Sequence, residues 1–302
     1  MKFWKKLHKS PLTEQFLRRR EDYCVSAISR FNAGITNNVW AAPSRRLQNK
    51  QPDSYTIYAL LLYGRQMLFP VFDFPESQSK EISAKGLPLP LFFPTILKNN
   101  LLHAAQGLAP DMDILEKALQ KNGFFSASRY DYELRSLELA ENGSTGGNHA
   151  GINSLAGNTP PGLMFRRAEM ADTDALYPLQ AAYETEEVLP QGAQLNPVHC
   201  RLGLERLITA QSVLAAQLDG KLVGKININA QSYTRFQIGG VYVLPEFRGL
   251  GIAQAMTAAL IREFAPQKNR FTLFVKKGNI AAIRVYDKIG YKKIGDYRIA
   301  YY

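Results

Sequence analysis

The stretch Gly239–Met256, GGVYVLPEFRGLGIAQAM, decides how this chain is read. The run RFQIGGVYVL (235–244) reads as a strand ending at Pro245, and a helix follows from Gly249 to Phe264. At the turn between them, Arg248, Gly251 and Ala253 stand at the spacing R-x-x-G-x-A. That arrangement suits a diphosphate. The first N–H groups of a helix have no intrahelical acceptor and the dipole is positive there, while the small residues Gly249, Gly251 and Ala253 let oxygen atoms reach the backbone. Arg248 offers either a charged contact or a salt bridge. The turn lacks the Gly-Lys-Ser/Thr of a Walker loop and the GxGxxG of a dinucleotide site, so nucleotide hydrolysis and dinucleotide binding lose support.

Strands and helices alternate on both sides of this turn. Upstream, LMFRRAE (163–169) reads as a strand, Asp172 or Asp174 caps a helix carrying Leu176 and Leu179, and YETEEV (183–188) follows. Asn196-Pro197 is an N-cap with a first-turn proline, opening an amphipathic helix through Leu202, Leu204 and Leu207. The strand-like runs SVLAAQL (212–218) and KLVGKININ (221–229) flank Asp219-Gly220, the dipeptide of a type I′ hairpin. Downstream, FTLFVKKGNIAAIRVYDKIGYKKIG (271–295) reads as a strand leading to a helix with Asn279, Ala282, Tyr286 and Gly290-Tyr291. Asn279 and Tyr286 are seven residues apart, two helical turns, and so share a face.

The two motifs in this order resemble the GNAT N-acetyltransferase superfamily over about Leu163 to Tyr302. The resemblance implies acetyl-CoA as cosubstrate, held by Val241, Tyr242, Val243, Arg248, Gly249, Leu250, Gly251, Ile252, Ala253 and Asn279. It implies that backbone N–H groups at Val241–Val243 polarise the thioester carbonyl and that Tyr286 is the acid for the departing sulfur. In place of the carboxylate that such enzymes often carry on the strand before the cofactor motif, this strand offers Gln237. Deprotonation through water is then an option, with Glu184 and Glu187, three apart on one side of a helix, binding a cationic amine or acting through water. The function expected is acetyl transfer to a primary amine of a small molecule, peptide or protein; the alternative is a catalytically silent acyl-CoA-binding regulatory or interaction protein.

The rest of the chain sets the frame. Its 302 residues suit two domains, and 46% apolar with 21% charged residues is a globular composition. The formal charge of +11 is concentrated at the start, where residues 1–20 hold seven Lys or Arg against one Glu. A modest excess elsewhere fits a phosphate-bearing ligand as well as it fits nucleic acid, and nucleic acid is not the partner expected. Cys24 and Cys200 match no metal or redox spacing, so the reading is free thiols, no metal and a cytoplasmic location. No apolar run is long enough to span a bilayer. An oligomer is compatible with the sequence, which does not set one.

The segment ENGSTGGNHAGINSLAGNTPP (141–161) has linker chemistry. Three parts are therefore expected: an N-terminal α/β domain at 1–140, a linker at 141–161, and a GNAT domain at 162–302 with a mixed, mostly antiparallel sheet flanked by helices. In the first part, Phe3–Ile28 reads as helical with Leu12, Phe16 and Leu17 on one stripe, SYTIYALLLY and QMLFPVFDF as a hairpin around Gly64-Arg65, and 86–94 as a Pro-rich loop. Asp111–Asn122 reads as a helix and YDYELRSLEL (130–139) as a strand. This half resembles a degenerate GNAT-like copy without an R-x-x-G-x-A turn.

Overall fold

The computed structural model describes residues 4–7, 10–36, 38–43, 57–89, 95, 99, 101–139 and 159–302. In the first half the order is β1 (Lys5–Leu7), α1 (Pro11–Arg19), α2 (Val25–Asn32), β2 (Asn38–Pro43), β3 (Ile57–Gly64), β4 (Met67–Phe72), α3 (Glu76–Lys85), β5 (Ala104–Leu108), α4 (Ala109–Gln120) and β6 (Ser128–Glu138). The second half runs β7 (Leu163–Arg167), α5 (Thr173–Tyr183), α6 (Pro197–Thr209), β8 (Val213–Leu218), β9 (Lys221–Gln231), β10 (Arg235–Val243), α7 (Ile252–Phe264), β11 (Arg270–Lys276), α8 (Ile280–Ile289) and β12 (Lys292–Tyr301). One order, β-α-α-β-β-β-α-β-α-β, therefore occurs twice.

The chain divides into two compact units, one of Met1–Glu133 with Gly295–Tyr302 and one of Leu134–Ile294. In the first, β1 to β4 pair antiparallel in sequence order, β4 and β5 pair in parallel, and the chain's last residues complete the sheet, with Tyr297↔Leu108 through Tyr301↔Ala104. In the second, β7 to β10 are antiparallel in sequence order and β10 pairs in parallel with β11. There the neighbour of β11 on its other side is β6, from before the glycine-rich segment. Most of that segment, residues 140–158, lies outside the described residues, as does the Pro-rich loop beyond Leu89.

Both hairpins form as their turn residues require. Arg65 and Gln66 adopt φ of +48° and +60°, and Asp219 and Gly220 adopt +49° and +80°. The opening of the chain departs from the helical expectation. Lys5–Leu7 is a strand paired with β2, and α1 starts afresh at Pro11, capped by Ser10, whose hydroxyl accepts from the Thr13 N–H at 3.3 Å. Thr13, Phe16 and Leu17 form the buried stripe of α1, and Leu12 is exposed. Asp172 is not the side-chain cap of α5 either: it accepts from the Glu169 N–H at 2.8 Å and grips both terminal nitrogens of Arg166 at 2.7 Å.

The second unit's sheet is covered on two faces. α7 lays Ile252, Met256, Leu260 and Phe264 against Ile226, Ile228, Phe236, Ile238, Phe271 and Leu273. On the other face α5 and α6 bring Leu176, Leu204 and Ile208 to Val213 and Ala215. Burying each such side chain is worth about 1.5–3 kcal/mol, which holds the sheet rigid around the strand ends that carry the site.

In the first unit β4 and β5 pair only at Met67↔Ala104 and Leu68↔Ala105. A cavity of ≈ 10 Å³ lies past those pairs, lined in part by Arg20, Cys24, Pro70, Gln106 and Tyr297, and Asp111 from α4 enters it to accept the Phe72 N–H at 3.1 Å. Burial pushes the Asp111 carboxyl up to about 7, against the Phe72 N–H and Arg20, which pull it down. A carboxyl raised in the folded state keeps a proton that the unfolded chain releases, so stability falls as pH rises from about 4 to about 7 and is flat above. Asp111→Asn keeps an acceptor for Phe72; urea melts should show a gain of about 1–3 kcal/mol at pH 8 and none at pH 4.

Candidate functional site

In the second unit, the parallel pairing of β10 with β11 runs from Arg235↔Arg270 to Ile238↔Leu273 and stops there, although both strands continue. Past that point β10 carries an irregularity, its register with β9 shifting between Gly239 (opposite Asn227) and Tyr242 (opposite Lys225). Gly240 sits in the shift with φ +60°. A Cβ on Gly240 would run into Asn227 Oδ1 and come within 2.7 Å of Lys225 Nζ, and one on Gly239 would run into the Asn229 amide. Only glycine leaves room here for the row Lys225, Asn227 and Asn229, which β9 presents on one face at every second residue.

β10 ends at Val243, a short 3-10 turn covers Pro245–Phe247, and Gly249 and Gly251 adopt φ of +80° and +76° before α7 begins. Gly251 is the left-handed N-cap of α7 and no side chain caps the helix. Its first-turn amides, including those of Ile252 and Ala253, are thus left to an external acceptor. A Cβ on Gly249 would meet open space, and Leu250 is exposed beside it. The side chain of Arg248 is engaged with the protein: Nε donates to the Val243 carbonyl at 3.0 Å and Nη2 to Glu186 Oε2 at 2.9 Å.

Glu186 belongs to a π-helical turn, Glu184–Val188, closed by the Leu189 N–H on the Glu184 carbonyl at 2.8 Å. This turn separates Glu184 and Glu187, which an ordinary helix would place on one side. Glu184 accepts from Gln180 Nε2 at 2.8 Å and interacts with Cys200 and Lys225. Glu187 lies 3.4 Å from Lys276 Nζ and accepts from Asn279 Nδ2 at 3.2 Å. Glu186, which the sequence reading passed over, takes the Tyr242 hydroxyl at 2.7 Å besides Arg248. Partial burial pushes the Glu186 carboxyl up, but Tyr242 and Arg248 outweigh it and hold the group below the usual carboxylate range.

Asn279 is the N-cap of α8, its Oδ1 accepting from the Ala282 N–H at 3.0 Å. Tyr286 is buried in the core with its ring 5.8 Å from that of Tyr291. Burial, then Tyr183 and Glu187, push its phenol above the ordinary tyrosine range, so it carries its proton at neutral pH. The structure thus brings Val241–Val243, Arg248 and the α7 start together at the end of β10, and joins Glu187 to Asn279. It assigns Glu184 to a different set of neighbours. The signal for Lys225 was present in KLVGKININ, where Lys, Asn and Asn alternate with apolar residues on a strand whose whole middle is buried.

The model of the family described as Acetyltransferase (GNAT) family matches residues 174–291, which contain all of these groups. Residues 174–291 are a GNAT-family domain. No curated protein matches the chain. Among solved structures, the fold is similar to that of a Drosophila protein (TM-score 0.61, 13% identity, covering 100% of this chain and 99% of that one) and a GCN5-related N-acetyltransferase from Sphaerobacter thermophilus (0.60, 15%, 99% and 95%). It is also similar to a tandem GNAT protein from the clavulanic acid biosynthesis pathway (0.53, 10%, 98% and 97%). At these identities the likeness is one of fold. It extends through the first half of the chain, in keeping with the repeated element order, and the GNAT domain proper is the second copy.

The first copy lacks the same opening. Its helix after β4 begins at Pro75-Glu76 with Asp73 just before it, acidic groups where a diphosphate would be repelled. Within the GNAT domain the fit of Gly240 is the most exposed to a single change. Gly240→Ala should lower stability by about 1–3 kcal/mol through its positive φ and its collision with Asn227. Thermal melts would show this beside Gly278→Ala, whose Cβ meets open space, with no change expected for the control.

Proposed function

We propose that the GNAT domain binds acetyl-CoA and transfers its acetyl group to a primary amine. The observation that carries this reading is the parting of β10 and β11 after Ile238↔Leu273 beside an uncapped, glycine-opened helix start. The residues fit a thioester joined to a diphosphate. The amides of Gly249 to Ala253 would receive the diphosphate, Leu250 and Ile252 contributing backbone rather than side-chain contacts. Val241, Tyr242 and Val243 line the strand end, and Asn279 stands at the head of α8 opposite. Arg248 serves the site by fixing the end of β10 through the Val243 carbonyl, and its charge is shared with Glu186.

When bound, the thioester supplies an activated acyl carbon; the chain's own residues do the rest. Backbone N–H groups of Val241 and Val243 would polarise the carbonyl. Tyr286, protonated and buried, would supply a proton to the departing sulfur. Glu184, held by Gln180, and Glu187, held by Lys276 and Asn279, are the carboxylates that would bind a cationic amine or take an acceptor's proton through water.

Calorimetry with acetyl-CoA is the direct test, with micromolar-range binding expected. Gly249→Asp accepts the positive φ that Asp tolerates and adds a negative charge in open space; it should weaken binding by about tenfold or more with little change in Tm. Absence of binding by folded wild-type protein would defeat the reading. With any primary amine that a thiol-release screen identifies, Tyr286→Phe should retain acetyl-CoA affinity and lose about a hundredfold in kcat. A wild-type rate from that variant would remove Tyr286 from the mechanism.

A further inference from the structure

Gly240 is held at its carbonyl. Lys225 Nζ donates to the Gly240 carbonyl at 3.0 Å and to Asn227 Oδ1 at 3.1 Å. Lys225 is wholly buried, with Nζ 5.1 Å from the centre of the Tyr183 ring. Asn227, itself buried, is steadied in turn by donating to Asn229 Oδ1 at 2.6 Å. An apolar side chain would fill the same space without the cost of burying an amine. What only the lysine supplies is a donor for Gly240.

That donor has a geometric consequence on the other side of the strand. No peptide bond among the described residues is cis, and in a trans peptide the C=O and the following N–H point opposite ways. A Gly240 carbonyl aimed at Lys225 therefore aims the Val241 N–H away from it. The strand alternation agrees. Past the register shift, the Leu244 N–H reaches the Val223 carbonyl of β9 at 2.9 Å, so the amides at 244 and 242 face β9 and the one at 243 faces the edge that β11 has left, the side to which the trans peptide turns the Val241 N–H.

We infer that Lys225 is a positioning residue, which by holding the Gly240 carbonyl presents the Val241 N–H to the thioester carbonyl. This rests on the acetyl-CoA reading above and names the device that makes the strand end an acyl-polarising site. An ammonium on the Gly240 carbonyl also draws electron density through the peptide, which makes the Val241 N–H a stronger donor. The groups facing Lys225 are Tyr183 from α5, Glu184 from the π-helical turn, Cys200 from α6 and its register partner Tyr242 from β10. Burial pushes Lys225 down to about 7, opposed first by Glu184 and then by Cys200. Its charge, and with it the strength of the Val241 donor, therefore declines as pH rises through neutrality.

The test is the infrared carbonyl band of acetyl-CoA labelled with carbon-13 at the acetyl carbonyl, bound to the full chain. Wild-type protein at pH 6 should shift the band to lower frequency than in free acetyl-CoA. Lys225→Met should return it to the free position while the calorimetric Kd changes by less than about threefold, and Lys225→Arg, which keeps a charged donor, should restore part of the shift. A shift that survives intact in Lys225→Met overturns the inference and leaves acetyl-CoA binding standing. Failure of wild-type protein to bind acetyl-CoA overturns both. Should Lys225→Met not fold, the Val241 amide nitrogen resonance of the wild-type protein decides: it should titrate with a midpoint near 7, and an invariant resonance overturns the inference.

Discussion

The site depends on a parallel strand pair that stops pairing before either strand ends. After Ile238 and Leu273 the edge of β10 loses its hydrogen-bonding neighbour, and buried backbone amides do not tolerate that without some replacement. The register shift around Gly240 turns this potential defect into a directed feature. The Gly240 carbonyl is pinned by Lys225, itself tied to Asn227, and past Ile238 the opposite edge is without its β11 partner. Two well-packed faces prevent the sheet from closing the gap by shifting.

Charge near the site is largely settled within the protein. Arg248 is matched by Glu186 and Lys276 by Glu187, all four partly exposed, so these pairs add little stability individually and serve mainly to hold the π-helical turn over the strand end. In the proposed reading, the attraction for a diphosphate then rests on oriented backbone dipoles at the start of α7. The formal +11 of the chain, much of it in the first twenty residues, has little to do with it.

Local rules carried the sequence reading furthest where single residues dominate. Asp219-Gly220 made its hairpin, Asn196 capped α6 through the His199 N–H, and Gly251 opened α7. The reading weakened where a residue's role depends on partners distant in sequence. For Arg248 the sequence leaves a charged contact and a salt bridge both open, because Glu186, sixty-two residues away, is not visible as its neighbour from spacing. Glu184 and Glu187 looked paired because a π-helical turn leaves no signature in composition. Leu12 falls on the apolar stripe with Phe16 and Leu17 by spacing, yet the helix turns Thr13 inward in its place. Lys225 was hidden by convention: a lysine in a strand is ordinarily taken to be at the surface, and only its alternation with Asn227 and Asn229 on a buried strand argues otherwise.

The exchange of final strands carries a consequence for inheritance. Residues 295–302 finish the sheet of the first unit, and residues 134–138 belong to the second. A gene that lost its front half would leave β11 as a raw edge, open to pairing with other chains. The second unit's sheet thus relies on a strand that the first half of the chain supplies.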